Sequence, residues 1–228
     1  MHASLIDHIV KTYAFTVEEK RQLANTLAQG YLQAKTQAYQ RAQSHAGHIV
    51  QIRHPWQVSE SDVKKSQQWA LSQVQSIAET YETLLRHMLE QLPEERAAEN
   101  IIGKVRGVIS SIIDWINGFL PWKVKQVADN TWNTGDNDGT EQWIDDVQSD
   151  DIEGDTSTIF LKVVPEGSSS DYCADFAGRT FALGDEIPHF PAHVGCIHSI
   201  EVITASERMV NVSRNVQPER FLVGVWGV

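Results

Sequence analysis

Cysteine is scarce in this 228-residue chain: Cys173 and Cys196 are the whole complement, too few for a disulfide scaffold. Proline (7) and glycine (14) fall well short of what collagen needs, and 41% hydrophobic residues is too many for wholesale disorder. Basic residues are outnumbered, 19 Lys and Arg against 30 Asp and Glu, which gives a formal charge of −11. A field of that sign argues against a protein whose whole surface wraps nucleic acid. The start, Met1-His2-Ala3-Ser4-Leu5-Ile6-Asp7-His8, has no basic region leading into an apolar stretch, so no secretory leader is expected there. The expected compartment is then reducing, which favours thiols or a metal site over a disulfide. No clean membrane-length run is present either. The most apolar window, 101–120, is broken by Lys104, Arg106 and Asp114, and charges in the centre of a span are costly. Packing against protein is expected of it in preference to a membrane surface.

The acidity belongs to one stretch. Residues 1–128 hold 14 basic and 12 acidic groups, residues 129–186 hold 2 and 15, and residues 187–228 hold 3 of each. The reading favoured for 129–186 is a solvated acidic surface loop; a basic partner or a divalent cation could also use it.

The first 120 residues read as helix. Thr16-Val17-Glu18-Glu19 is a capping box, followed by Leu23, Leu27, Tyr31, Ala34, Ala38 and Ala42 on one face. That pattern ends near Gly47, and His54-Pro55-Trp56 breaks the chain. A second helix starts at Ser59, with Asp62 as capping partner and a stripe of Trp69, Val74, Ile77, Tyr81, Leu84, Leu85, Met88 and Leu92. A third follows Pro93, with Ile102, Val105, Val108, Ile109, Ile112, Ile113, Ile116 and Phe119, and Gly118 with Pro121 should stop it. The Gln-rich surfaces of the first two helices suit packing against other protein as well as they suit plain exposure.

After Pro121 the texture changes. Asn133–Asp138 and Asp150–Thr156 read as loops, with a short helix around Trp143–Val147. Strands are expected at Thr158–Val164, Ser199–Thr204, Met209–Ser213 and Phe221–Trp226, and a flexible loop at Gly167–Ser170. The expected fold is α+β. A helical hairpin or bundle (1–120) leads through an acidic linker with a short helix (121–157) to a small α+β or mostly β module (158–228), and residues 121–228 are expected to fold separately from the helices.

That module carries the chemistry. Cys173, His193, Cys196 and His198 lie in a short stretch rich in turn residues. Zinc favours tetrahedral thiolate and imidazole donors, and a Cys₂His₂ set closes its shell, so such an ion would be structural. Two alternatives stand beside it: a Cys173–Cys196 disulfide, or buried thiols with ordinary loop histidines.

Cys-x4-Gly-x2-Phe, a spacer, then Pro-x-His-x2-Cys-x-Cys resembles the C-terminal signature of phage head morphogenesis proteins, also called minor head proteins or the Mu F-like family. This chain reads Cys173, Gly178, Phe181, Pro191, His193 and Cys196, with His198 in the place of the last cysteine. The run Phe160-Leu161-Lys162-Val163-Val164 resembles the strand that precedes the first cysteine. The likeness covers residues 155–204. Ser170 stands where many members have a cysteine, Ile197 where they have arginine, and the family's Arg-Thr-Glu helix has no counterpart near 127–132. The resemblance implies a non-enzymatic virion component, assembled in the host cytoplasm. Its partners would be portal, capsid or neck proteins of the same particle, where members are present in few copies, and the chain would be oligomeric in the assembly, with neither a direct nucleic-acid site nor a membrane.

The other signals are weaker. Thr134–Asp145 half-matches a calcium loop but lacks its first Asp and last Glu, so it reads as an Asx-type turn. His45, His48 and His54 read as solvated or capping residues. The enzyme alternative is a metal-dependent hydrolase or nuclease using His189, His193 and Asp185 or Glu186. No Ser-His-Asp order, His-Glu-x-x-His or phosphate-cradling glycine loop accompanies it. A third reading is an adaptor that takes a basic partner through 129–155.

Overall fold

Two capping boxes set the helical frame. Thr16 opens helix α2 (Val17–Ala46): its hydroxyl accepts from the Glu19 amide at 3.2 Å, and the Glu19 carboxylate takes the Thr16 amide at 2.8 Å. Ser59 and Asp62 repeat the device at the start of α3 (Glu60–Glu90), and Gly47 caps α2. All three positions are those the sequence signals. The computed structural model describes residues 3–91, 101–149, 152–164, 170–191, 196 and 198–208. The strands expected at Met209–Ser213 and Phe221–Trp226 lie outside the described residues, as do Leu92, Pro93 and most of the Gly167–Ser170 loop.

Helix α1 (Ala3–Tyr13) lays Ile6, Ile9 and Val10 against Tyr81, Leu85 and Leu89 of α3. Helices α2 and α3 run antiparallel, since Tyr31 meets Trp69 and Lys35 meets Asp62. Ala24, Leu27 and Ala28 pack on Ala70, Val74 and Ile77, so the apolar stripes become the core.

The third long helix departs from expectation. Helix α4 (Ile101–Gln148) runs for 48 residues through Gly118, Pro121 and the whole of 133–138. The linker and the loop expected over 121–148 are therefore helix, and the boundary placed at 121 falls inside it. A mid-helix proline forfeits a backbone hydrogen bond, but Val124 and Val127 just beyond it bury against α2 and α3, and tertiary packing outweighs the local breaker.

Further along, the residues that read as a turn make a helix–helix seam. Helices α2 and α4 lie parallel, with Tyr31, Lys35 and Tyr39 facing residues 135–138, 139 and 146 in order. A Cβ on Gly135 would lie 3.1 Å from the Ala34 methyl and one on Gly139 only 2.8 Å from the Ala38 methyl, and both would run into backbone carbonyls of α2. Glycine stands at these positions because two backbones touch.

The acidic groups serve the same seam. Asp138 accepts from the Tyr31 hydroxyl, Asp136 pairs with Arg41, and Asp146 takes the Tyr39 hydroxyl at 2.6 Å and the Trp56 amide at 3.0 Å. Burial, then the Asp138 bond, pushes the Tyr31 phenol far above its ordinary range. The reading of this stretch as a solvated loop is corrected, and so are the Asx-type turn and the half-matched calcium loop. A helical backbone cannot wrap an ion as that loop does, and Asp136 and Asp138 are engaged with α2.

Strands β1 (Val50–Ile52) and β2 (Ile152–Gly154) form a small antiparallel ribbon beside this seam. A three-stranded antiparallel sheet follows, ordered β4 (Thr180–Ala182), β3 (Ile159–Val164), β5 (Ser199–Thr204). The β3 and β5 positions agree with the sequence pattern. Together the long helices and the small C-terminal antiparallel sheet make the α+β fold expected. Tyr39 and Ala42 of α2, Trp143 and Val147 of α4, and Leu161, Val163 and Val202 of the sheet belong to one core.

Candidate metal centre

Cys173 is delivered by α5 (Asp171–Phe176), a single short helix between β3 and β4. The Ser170 hydroxyl caps it by accepting from the Cys173 amide at 3.2 Å. At its far end Gly178 takes φ +77°, a left-handed turn that favours glycine, and its amide bonds the Val163 carbonyl at 2.9 Å. Cys196 and His198 arrive from the other side, immediately before β5.

Helix α4 fixes that second segment. Asn133 donates through Nδ2 to the Cys196 carbonyl at 2.9 Å. Asn137, one turn on and fully buried, donates through Nδ2 to the His198 carbonyl at 3.2 Å and accepts the Ile200 amide on Oδ1 at 2.9 Å. The backbone that carries Cys196 and His198 is thus pinned by two asparagines of one helical face. The sequence reading missed them because it took 133–138 for a loop; their spacing of four was the signal available.

The side chains of Cys173, Cys196 and His198 are all fully buried, and their ligand atoms lie within 4.8 Å of one another. The sulfurs are 3.8 Å apart, and Cys196 Sγ is 3.8 Å from His198 Nδ1. Both cysteines are thiols, not a disulfide. Two sulfurs bound tetrahedrally at about 2.3 Å from one ion would stand about 3.8 Å apart, so the spacing fits a shared metal. Burial pushes the Cys173 thiol up, and the neighbouring Cys196 adds to the rise against a lowering bond from Ser170. A metal bound here would displace the thiol protons. The His198 ring stacks on Phe190, with centroids 5.6 Å apart and planes at 24°, which fixes its orientation.

Among the described residues this is the one convergent group of three or more Cys, His, Asp or Glu donors. Three of the four residues singled out from the sequence meet in it; His193 lies outside the described residues. Of the set considered for a hydrolase, His189 and Asp185 have other partners. His189 Nδ1 pairs with Glu141 Oε1 at 3.0 Å, and Asp185 closes a turn by accepting the Ala182 amide at 2.7 Å. His45 bonds Glu207 at 2.6 Å. Among the described residues no helix is long and apolar enough to cross a membrane. A scan of protein-family models, a search of curated proteins and a search of solved structures each return no match.

Proposed function

We propose that this chain is a structural protein of a phage particle, acting in head morphogenesis through protein–protein contacts. We further propose that Cys173, Cys196, His198 and His193 hold a zinc ion that fixes its C-terminal module. The observation that carries the reading is the convergence of Cys173 with Cys196 and His198 in one buried cluster. Those residues belong to the signature described above, and two others of that signature serve the same local structure. Gly178 supplies the left-handed turn after α5, and Phe181 sits on β4 opposite Leu161. Cysteine and imidazole donors suit zinc, and a closed shell stabilises without catalysing. A hydrolase would need an open coordination position beside a base, whereas these donors are fully buried and His189 is committed to Glu141.

On this reading the protein joins the particle in the host cytoplasm as an oligomer in few copies and contacts portal, capsid or neck subunits. Mass spectrometry of gradient-purified particles tests it: the chain is expected in heads or virions, cross-linked to one of those subunits. Its absence from both would overturn the proposal. Elemental analysis of the purified chain is expected to find about one zinc per chain.

A further inference from the structure

Two thiols 3.8 Å apart at a buried site can close a disulfide with little movement, since an S–S bond of about 2.05 Å is reached by a modest approach of the sulfurs. These are the chain's only cysteines, so any intramolecular disulfide must join the two of them. The two are held differently. Cys196 is pinned through its carbonyl by Asn133, while Cys173 rides on a six-residue helix. A cavity of about 330 Å³ beside α4, lined by Trp122, Lys125, Asp129 and Asn133, also has Cys196 among its lining residues, whereas none of the cavity's lining comes from α5.

From this we infer that Cys173 and Cys196 form a redox switch that exchanges a metal-held state for a disulfide. The oxidant is a peroxide. The Cys196 thiolate attacks one peroxide oxygen, the O–O bond breaks, and a sulfenic acid and hydroxide result. The Cys173 thiolate then attacks the Cys196 sulfur, the S–S bond forms, and a second hydroxide leaves. Two protons from solvent complete two waters; the cysteines lose two electrons and the peroxide gains them. Both sulfur donors are then gone, and an ion at the site is released. The inference deepens the metal reading and rests on it for the released ion. For a particle assembled in a reducing cytoplasm and released into an oxidising medium, the sequence would be metal-held first and disulfide-held afterwards.

The test treats the full-length, metal-loaded chain with a few equivalents of hydrogen peroxide and follows thiol titration, elemental analysis and intact mass together. Expected are loss of both thiols per chain, release of the metal in step with them, and a mass lower by two hydrogens, all reversed by a dithiol reductant. Sulfinic or sulfonic products without an S–S bond, disulfide-linked dimers, or two surviving thiols would each overturn the inference. If the chain carries no metal as purified, the metal proposal fails by itself, and the same treatment still decides whether the thiols pair. Cys173→Ser is the control: it should halt at a sulfenic acid that a sulfenic-specific reagent traps on Cys196, and trapping nothing there would count against the assigned order of attack.

Discussion

Replacing Gly139 by alanine isolates the seam between α2 and α4. In an ordinary helix interior the change stabilises by about 1 kcal/mol, because glycine has the greater backbone freedom to lose. Here the new methyl would stand 2.8 Å from the Ala38 Cβ and would overlap the Lys35 carbonyl, so the helices must separate. Overpacking of this kind costs about 1–3 kcal/mol, and a rigid backbone obstacle puts it at the upper end. Subtracting the helical gain leaves a net loss of about 2 kcal/mol, or roughly 4–8 °C in Tm for a chain of this size. Gly107 and Gly118 lie in the same helix with nothing within 4 Å of a Cβ. Alanine at either should raise Tm by about 2–4 °C. Thermal melts of the three variants by circular dichroism decide the matter. If Gly139→Ala also raised Tm, the close parallel packing of α2 on α4 would be wrong.

Three further outcomes follow from the same geometry. Asn137→Ala strands the Ile200 amide and the His198 carbonyl in the core, and should cost about 3 kcal/mol, lowering the urea midpoint by about 1 M; an unchanged midpoint would remove the pinning role. Asp62 is desolvated at its site, yet bonds from Ser59 and Lys35 prevail and hold its carboxyl down at about 2, so its contribution is present above pH 4 and lost as pH falls from about 4 to about 2. The stability gap between the parent chain and Asp62→Asn, about 1–2 kcal/mol at pH 6, should close over that window, and a gap constant with pH would refute the assignment. Removing the bound metal with a chelator, or exchanging Cys196 for serine, should lower Tm by roughly 8 °C or more if the ion binds far below its working concentration; equal melting with and without metal would show that the site contributes nothing to folding.

The parts of the fold legible in the sequence were those written in local rules. Thr16 and Ser59 marked helix starts, Gly47 an end, and the alternation in 199–204 a strand, because capping and period depend on near neighbours. The stretch 133–139 was misread for the opposite reason. Asn-Thr-Gly-Asp-Asn-Asp-Gly is turn-like by composition, and only the partner helix reveals each residue's use: asparagines for the Cys196–Ile200 backbone, aspartates for Arg41 and Tyr31, glycines for backbone contact. The cysteines and His198 were legible as donors by type and spacing. Their supports were not, since Asn133, Asn137 and Phe190 act through tertiary placement.

The site and the helices are therefore not independent. Cys173 and Cys196 belong to the same core as Tyr39 and Ala42 of α2 and Trp143 of α4. Gln148, the last residue of α4, donates to the Leu183 carbonyl beyond β4 at 2.6 Å, and Trp143 reaches Gln43 of α2 at 3.2 Å. A cut at residue 157 would leave the strands with their donors but without the asparagines that orient them, and would expose the underside of the sheet. A metal bound by Cys173, Cys196 and His198 would hold α5 to the start of β5, whereas α4 holds that start to the helical frame. Both attachments share the segment Cys196–Ile200, so a change of state at the sulfurs bears on the backbone that Asn133 and Asn137 grip. Through that shared segment, and through the core that the cysteines share with Tyr39, Ala42 and Trp143, chemistry at the centre can reach the α2–α4 seam.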